Sequence, residues 1–555
     1  MFRNVLIAMS IPALALFSGC RATQRHHVPA SSNVPLFSGL GNHTRQVTNN
    51  SALAQKYFNQ GLVLTLAFNH DEAIRAFTEA SRLDPDCAMA WWGIAYANGP
   101  HINRPEMTPA QSTAAWDALQ KAIARKDQGT LTEQALIEAL AQRYASPAPA
   151  NRRSLDEAYA DAMRAVWHAH CADADVGTLY AESLMNLRPW DLWTKEGTPQ
   201  PGTEEIVATL EVVMRLDPNH PGANHLYIHA VEASPEPERA MASADRLRRS
   251  VPFSGHLVHM PSHIDVKTGQ WDNAVQQNDL AIAADREYRT LVPKQDFYRM
   301  YMGHNHHMLA FAAMMSGRSA EALQASRDLK AAIPSDYLAA NPLIVDPFYD
   351  SDTDVLMRFG LWDDVLAQPK PPIELAFTTA KWHFARGVAY AAKGQVEEAQ
   401  REQTAFRAAA AAIPSDRVLS INLAKDVLGI AEHMLEGEIA FRRGNIAEAE
   451  AALRQAIVIE DNLRYMEPPE WIQPVRHTLG AILLHAGRYE DAEEVYLADL
   501  ENWPDNGWSL YGLSESLRAK NEPNEAREVE KDFRRTWAKA DVQIASSCLC
   551  VAKKQ

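Results

Sequence analysis

Between Asn224 and His307 the chain sets histidine in three short runs, NHLYIHAVE, GHLVHMPSHID and GHNHHML. In the first, His225, His229 and Glu232 stand at i, i+4 and i+7, which is one stripe of an α-helix. In the second, His256, His259 and His263 stand at i, i+3 and i+7, again one stripe. In the third, His304 and His307 are three apart and His306 is turned aside. Imidazoles gathered with a carboxylate are the donor set of a transition-metal site, and they suit copper, iron or zinc far better than magnesium or calcium. The elements that carry these runs must bring them face to face for that chemistry to exist.

A chain of 555 residues exceeds one ordinary core and fits several domains or one long repeat array. Hydrophobic residues make up 46% and charged residues 22%, as in folded soluble proteins. The formal net charge is -16 and no basic patch stands out, so nucleic acid and anionic membrane surfaces are poor partners. Alanine-rich helical patterns dominate and strand patterns are hard to find, which points to an all-α protein.

The first residues read as a leader: a positive n-region at Arg3, an apolar run from Val5 to Phe17, then Leu16-Phe17-Ser18-Gly19-Cys20. This segment resembles a bacterial lipoprotein signal, with Phe17 where leucine is usual. The resemblance implies removal of residues 1–19, a lipid on Cys20 as the sole membrane attachment, and a place in the cell envelope facing the periplasm or exterior. An ordinary secretory signal is the plainer alternative. Residues 20–50 read as a flexible tether. Cys87 and Cys171 fall in helical patterns, as core thiols do. Cys548 and Cys550 form a C-x-C in the tail 546–555, open to a soft metal, to pairing with each other, or to fraying.

A repeat runs through the rest. Gly61, Ala73, Phe77, Ala80 and Pro85 set the pattern within Tyr57–Pro85. It returns at Gly269 and Ala274, Gly317 and Ala322, Gly394 and Ala399, Gly444 and Ala449, and Gly487 and Ala492. These spacings resemble the tetratricopeptide repeat, a helix-turn-helix unit. The resemblance implies an all-α, right-handed superhelical solenoid, divided here into an array over 51–372 and a second over 373–545. Two insertions interrupt it, a Pro/Gly/Trp-rich one at 187–203 and another at 333–372, and such insertions often cover a site on one face.

The repeat gives the histidines a common register. His225, His229 and Glu232 precede Ala240 by 15, 11 and 8 residues; His256, His259 and His263 precede Ala274 by 18, 15 and 11; His304 and His307 precede Ala322 by 18 and 15. In the repeat family these offsets belong to the first helix of each unit and its concave face. Three adjacent helices then share seven histidines and Glu232, more donors than one closed four-ligand site uses. That excess suits two metals, or one metal with open positions, able to activate water or bind dioxygen. Glu182, in TLYAESLMN, extends the set as a ligand, an orienting partner or a general base, with Glu232 in the same acid–base role. Trp92 and Tyr96 are candidates to wall the groove, and His101, His168, His170, His383 and His433 read as structural.

Two functions follow. One is a metal-dependent oxidoreductase or hydrolase of the envelope, with His225, His229, His256, His259, His263, His304 and His307 as ligands. The other, implied by the family resemblance alone, is a scaffold of an envelope complex that binds a protein partner in the repeat groove or on the C-terminal repeats, its histidines binding metal incidentally or sensing pH.

Overall fold

The computed structural model describes residues 32–551, so the leader and Cys20 lie outside it. Helices succeed one another as hairpins. Clear pairs are Ala52–Leu66 with His70–Leu83, Ala376–Ala392 with Val396–Ala411, Ala424–Arg442 with Ile446–Glu460, Val475–His485 with Tyr489–Asn502, and Gly507–Ala519 with Pro523–Thr536. Turns this short force antiparallel packing. Among the described residues β-pairing is confined to isolated bridges such as Trp193–Pro199. No described helix is long and apolar enough to cross a membrane.

The hairpin turn explains the glycine signature. Gly269, Gly317, Gly394, Gly444 and Gly487 each sit five residues before the small residue of the second helix, and all have φ between +73° and +81°. A side chain is disfavoured in that left-handed region, and glycine there lets the turn back-bond to the first helix. In one case Gln395 N donates to Tyr390 O and Gly394 N to Ala391 O, both at 2.8 Å. Asn521, φ +65°, serves the last hairpin. Phe68, φ +56°, occupies this position in the first.

Close approach explains the other glycines. Phe77 lies between the first helices of two consecutive units, against Gly61 and Gly93, and Tyr496 repeats the arrangement against Gly480 and Gly512. Apolar side chains form one core from Phe37 to Met302, another from Leu356 to Val551, and a third around Trp271, Phe311 and Trp508. The insertion at 333–372 folds into short helices, among them Ser335–Ala340, Ser351–Arg358 and Trp362–Ala367.

Two expectations need correction. Residues 32–50 are a docked arm, not a tether. Phe37 stacks on Phe253 at 5.0 Å, Arg45 grips Asp173 through two bonds of 2.8 and 2.9 Å, and Thr48 Oγ1 donates to Glu133 at 2.7 Å. An extended arm leaves no periodicity in sequence, because its partners are distant. Cys171 is exposed, since its helix ends at Ala169 and the thiol falls on the following turn. Of the alternatives open to the C-x-C pair, pairing with each other is realised: Cys548 and Cys550 are buried and joined in a disulfide.

Gly93→Ala tests the packing rule. Helix propensity alone would favour alanine by roughly 1 kcal/mol. The new Cβ, however, would sit 2.5 Å from the Phe77 ring. Overpacking should prevail, with a net loss of about 1–3 kcal/mol in denaturant unfolding; a stabilised variant would contradict this packing.

Candidate metal centre

Four helices bring the histidines together. Pro221–Val231 carries His225 and His229 and ends at Glu232. Gly255–His259 and Pro261–Lys267, broken at Met260 by the following proline, carry His256, His259 and His263. Arg299–Met315 carries His304 and His307. Ligand atoms of His225, His229 and His256 lie within 4.8 Å of one another, and so do those of His259, His263 and His304.

The two triads are copies related by one repeat. Each takes the histidines 15 and 11 residues before the small residue of one unit, and the histidine 18 before that of the next unit. His307 begins a third copy that is never completed, because the position 11 before Ala322 is Phe311. His307 accordingly stands apart, its ring 5.4 Å from Phe348.

Most imidazoles are oriented by their Nδ1. His225 Nδ1 donates to Leu66 O at 2.8 Å and His259 Nδ1 to Asn278 Oδ1 at 2.7 Å. The Asn278 amide is fixed by its own donation to Ala274 O at 2.8 Å. His229 Nδ1 and His263 Nδ1 donate to the two oxygens of Glu232, at 2.9 and 2.5 Å. Each of these rings therefore turns Nε2 into the cluster, the unprotonated nitrogen wherever the imidazole is neutral. His225 Nε2 faces His256 Nε2 at 3.1 Å, and His259 Nε2 faces His263 Nε2 at 2.7 Å. Two lone pairs at such distances repel unless a proton or a cation lies between them. His229 Nε2 and His256 Nδ1 are buried without a hydrogen-bond partner.

Electrostatics favours neutral rings. Burial holds His225, His256, His259 and His304 well below the usual histidine range, and the neighbouring imidazoles add to the effect. His263 goes the other way: burial opposes its charge most, but the charge and hydrogen bond of Glu232 and the charge of Glu467 together outweigh burial and raise it. Glu232 is itself held low because His263 and His229 overcome its desolvation.

Residues that sequence reading missed complete the shell. Glu467, from the loop after Ile446–Glu460, reaches within 3.7 Å of His263 Nδ1. Trp190, on the 187–203 insertion, stands edge-on to His229 at 5.2 Å, and Trp193 Nε1 donates to Ala230 O at 2.8 Å. Tyr301 lies 4.4 Å from His256, ring to ring. Phe68 packs on His225 at 4.5 Å, and on His101, read as structural, at 4.9 Å. Phenylalanine in the left-handed region is rare, and such backbone strain collects at functional sites. The glycine register was the available signal for Phe68; Glu467 and Asn278 had none.

Glu182 does not join the cluster. It accepts a hydrogen bond from Tyr96 and lies near Arg143 and Asn186, with burial raising its carboxyl. Tyr96 thus serves Glu182 instead of walling the histidines, and Trp92 stacks on Tyr96 at 5.1 Å. Another group, His43, Asp175 and His220, is a strap for the arm. His220 Nδ1 accepts from Ala223 N at 3.1 Å, which leaves His220 Nε2 protonated and donating to Asp175. Arg45 neutralises the same carboxylate at 3.0 Å.

Beside the triads opens a cavity of about 860 Å³, with His229 and Glu232 at its inner wall. Trp190, Trp193, Tyr465 and Trp503 line it.

The molecule is thus an all-helical array of hairpins around a buried histidine–glutamate cluster. It carries tetratricopeptide repeats: residues 433–455 and 473–497 match the family model described as "Tetratricopeptide repeat". No curated protein sequence matches the chain. Solved structures with a similar trace include the human IFIT1 dimer with m7Gppp-AAAA, at 14% identity over 88% of this chain and 92% of that one, TM-score 0.33. The APC/C hetero-tetramer Cut9–Hcn1 is similar at 12% identity over 89% and 76%, TM-score 0.27. Likeness at that level says nothing of the site or its ligand.

Three variants test the strain at Phe68 and the buried carboxyl at Asp285. Phe68→Ala and Phe68→Gly remove the same ring, but glycine also relieves the left-handed backbone, so Phe68→Gly should be the more stable by about 1 kcal/mol in denaturant unfolding. Equal stabilities would show that no strain is stored there. Asp285, buried between Trp271–Leu291 and Arg299–Met315, accepts from Asn305 Nδ2 at 2.7 Å, and burial pushes its carboxyl up to about 7. A raised carboxyl is stabilising while protonated; stability is full below the unfolded pKa near 4 and is lost as pH rises through 7. Asp285→Asn should flatten that loss and exceed wild type by about 1–3 kcal/mol at pH 8, read from melting at pH 5 and pH 8. Parallel pH profiles would exclude this origin.

Proposed function

We propose that the protein binds two transition-metal ions, one at each imidazole triad, and is a metal-dependent enzyme whose substrate enters the adjoining cavity. The observation that carries this reading is the duplication of the triad by the repeat, with Nδ1 of four rings anchored and their Nε2 atoms converging. Anchoring of the distal ring nitrogen by a carboxylate or carbonyl is how metal-binding histidines are held in proteins. Three neutral imidazoles per ion leave coordination positions free for substrate, water or dioxygen. With Glu232 engaged by two Nδ1 atoms, the ligand sets are wholly nitrogen, which suits copper first and zinc second. Copper would make the enzyme an oxidoreductase, zinc a hydrolase.

His229 lines both the triad and the cavity, so a substrate held between Trp190 and Tyr465 would meet the first triad directly. Glu467, on the same loop as Tyr465, is positioned to hold a proton beside His263. The Met1–Cys20 segment supports an envelope location with lipid on Cys20. The scaffold reading is favoured by the repeat match at 433–497.

Elemental analysis of the untagged chain, purified without chelator, provides the test. Wild type should hold two equivalents of one transition metal, His229→Ala and His259→Ala about one each, and the double variant almost none. Wild type without metal after reconstitution would sink the proposal and leave the scaffold reading standing.

A further inference from the structure

The C-terminal segment brings two thiols and a carboxylate together in a second core. After Pro523–Thr536 the chain doubles back: Asp541 accepts from Ser319 N and Ala320 N at 2.7 and 2.8 Å. Ser547 Oγ then bridges Tyr496 Oη at 2.6 Å and His477 O at 2.8 Å. Arg358 donates to Ser547 O at 3.1 Å, and Arg442 to Cys550 O. These contacts seat Cys548 and Cys550 in the apolar interior, 4% and 1% exposed. Glu438, on Ala424–Arg442, faces them from the repeat, 1% exposed, with a carboxylate oxygen within 4.8 Å of both sulfurs. Its Oε2 is buried without a hydrogen-bond partner.

A disulfide offers that carboxylate no donor, and burying an unsatisfied carboxylate oxygen is costly. The dithiol form changes the chemistry: two thiolates and one carboxylate make a compact S2O ligand set, and thiolate donors select thiophilic cations. We propose that Cys548, Cys550 and Glu438 form a redox-gated site that binds one thiophilic cation, Cu(I) or Zn(II), when the disulfide is reduced. Opening it takes two electrons and two protons from an external dithiol, which leaves as its own disulfide. The cation then displaces the two thiol protons. Exchange with an external disulfide, which takes up the two electrons and leaves as its dithiol, re-forms the S–S bond and expels the metal. The site shares no residue with the histidine triads, so it stands or falls separately from them.

The test uses the full chain in a Cys171→Ser background, which removes the exposed free thiol. Protein reduced with a dithiol and then freed of reductant is titrated with Zn(II) against a chromophoric chelator and with Cu(I) against bicinchoninate, beside oxidised protein. The reduced form should take one more equivalent than the oxidised form. Cys550→Ser should abolish that equivalent, Glu438→Gln should weaken it at least tenfold, and His229→Ala with His259→Ala should leave it intact. Should the cysteine variant fail to fold, iodoacetamide labelling of the reduced chain gives the same answer: bound Zn(II) should protect Cys548 and Cys550, read by mass spectrometry. Equal metal uptake by the two redox forms, or labelling indifferent to Zn(II), would overturn the proposal.

Discussion

One buried carboxylate holds the centre of this molecule together. Glu232 accepts from His229 of one triad and from His263 of the other, and it is only 1% exposed. A buried anion survives only where donors satisfy it, and here both donors are imidazoles whose opposite nitrogens are thereby aimed. Removing the carboxylate would free both rings at once. The position of Glu232 at the end of Pro221–Val231 depends in turn on the hairpin register, which fixes which turn of one helix faces which turn of the next.

The register is also what makes the centre economical to build. One repeat unit supplies the positions 15 and 11 before its small residue and the next unit supplies the position 18 before its own, so a single motif written twice yields two triads. Imperfection at the ends marks the boundary: Phe311 replaces the imidazole that His307 would need, and Phe68 replaces the turn glycine of the first hairpin and packs over His225. The insertion that carries Trp190 and the loop that carries Tyr465 then build a cavity along one side, which meets the buried cluster at His229 and Glu232.

Much of this was legible in the chain. The glycine and alanine spacing announces the hairpins because left-handed turns and close helix contacts tolerate few other residues, and the histidine offsets follow once the hairpins are aligned. Their diagonal pairing was not legible, since a common register says which residues share a face but not that one unit meets its neighbour a turn out of step. Glu182 misled for the same reason: it sits on a suitable helix, yet Tyr96 claims it. Glu467 and the docked arm at 32–50 lay beyond sequence reasoning, because both act through partners far away in the chain, with no local pattern to betray them.

Anomalous diffraction from crystals of the full chain, collected on either side of the absorption edge of the metal it retains, addresses the central claim most directly. Two ions of that metal, one bound by His225, His229 and His256 and the other by His259, His263 and His304, are what the account predicts. A single ion elsewhere, or imidazoles bridged by hydrogen bonds alone in crystals soaked with copper and zinc, would contradict it.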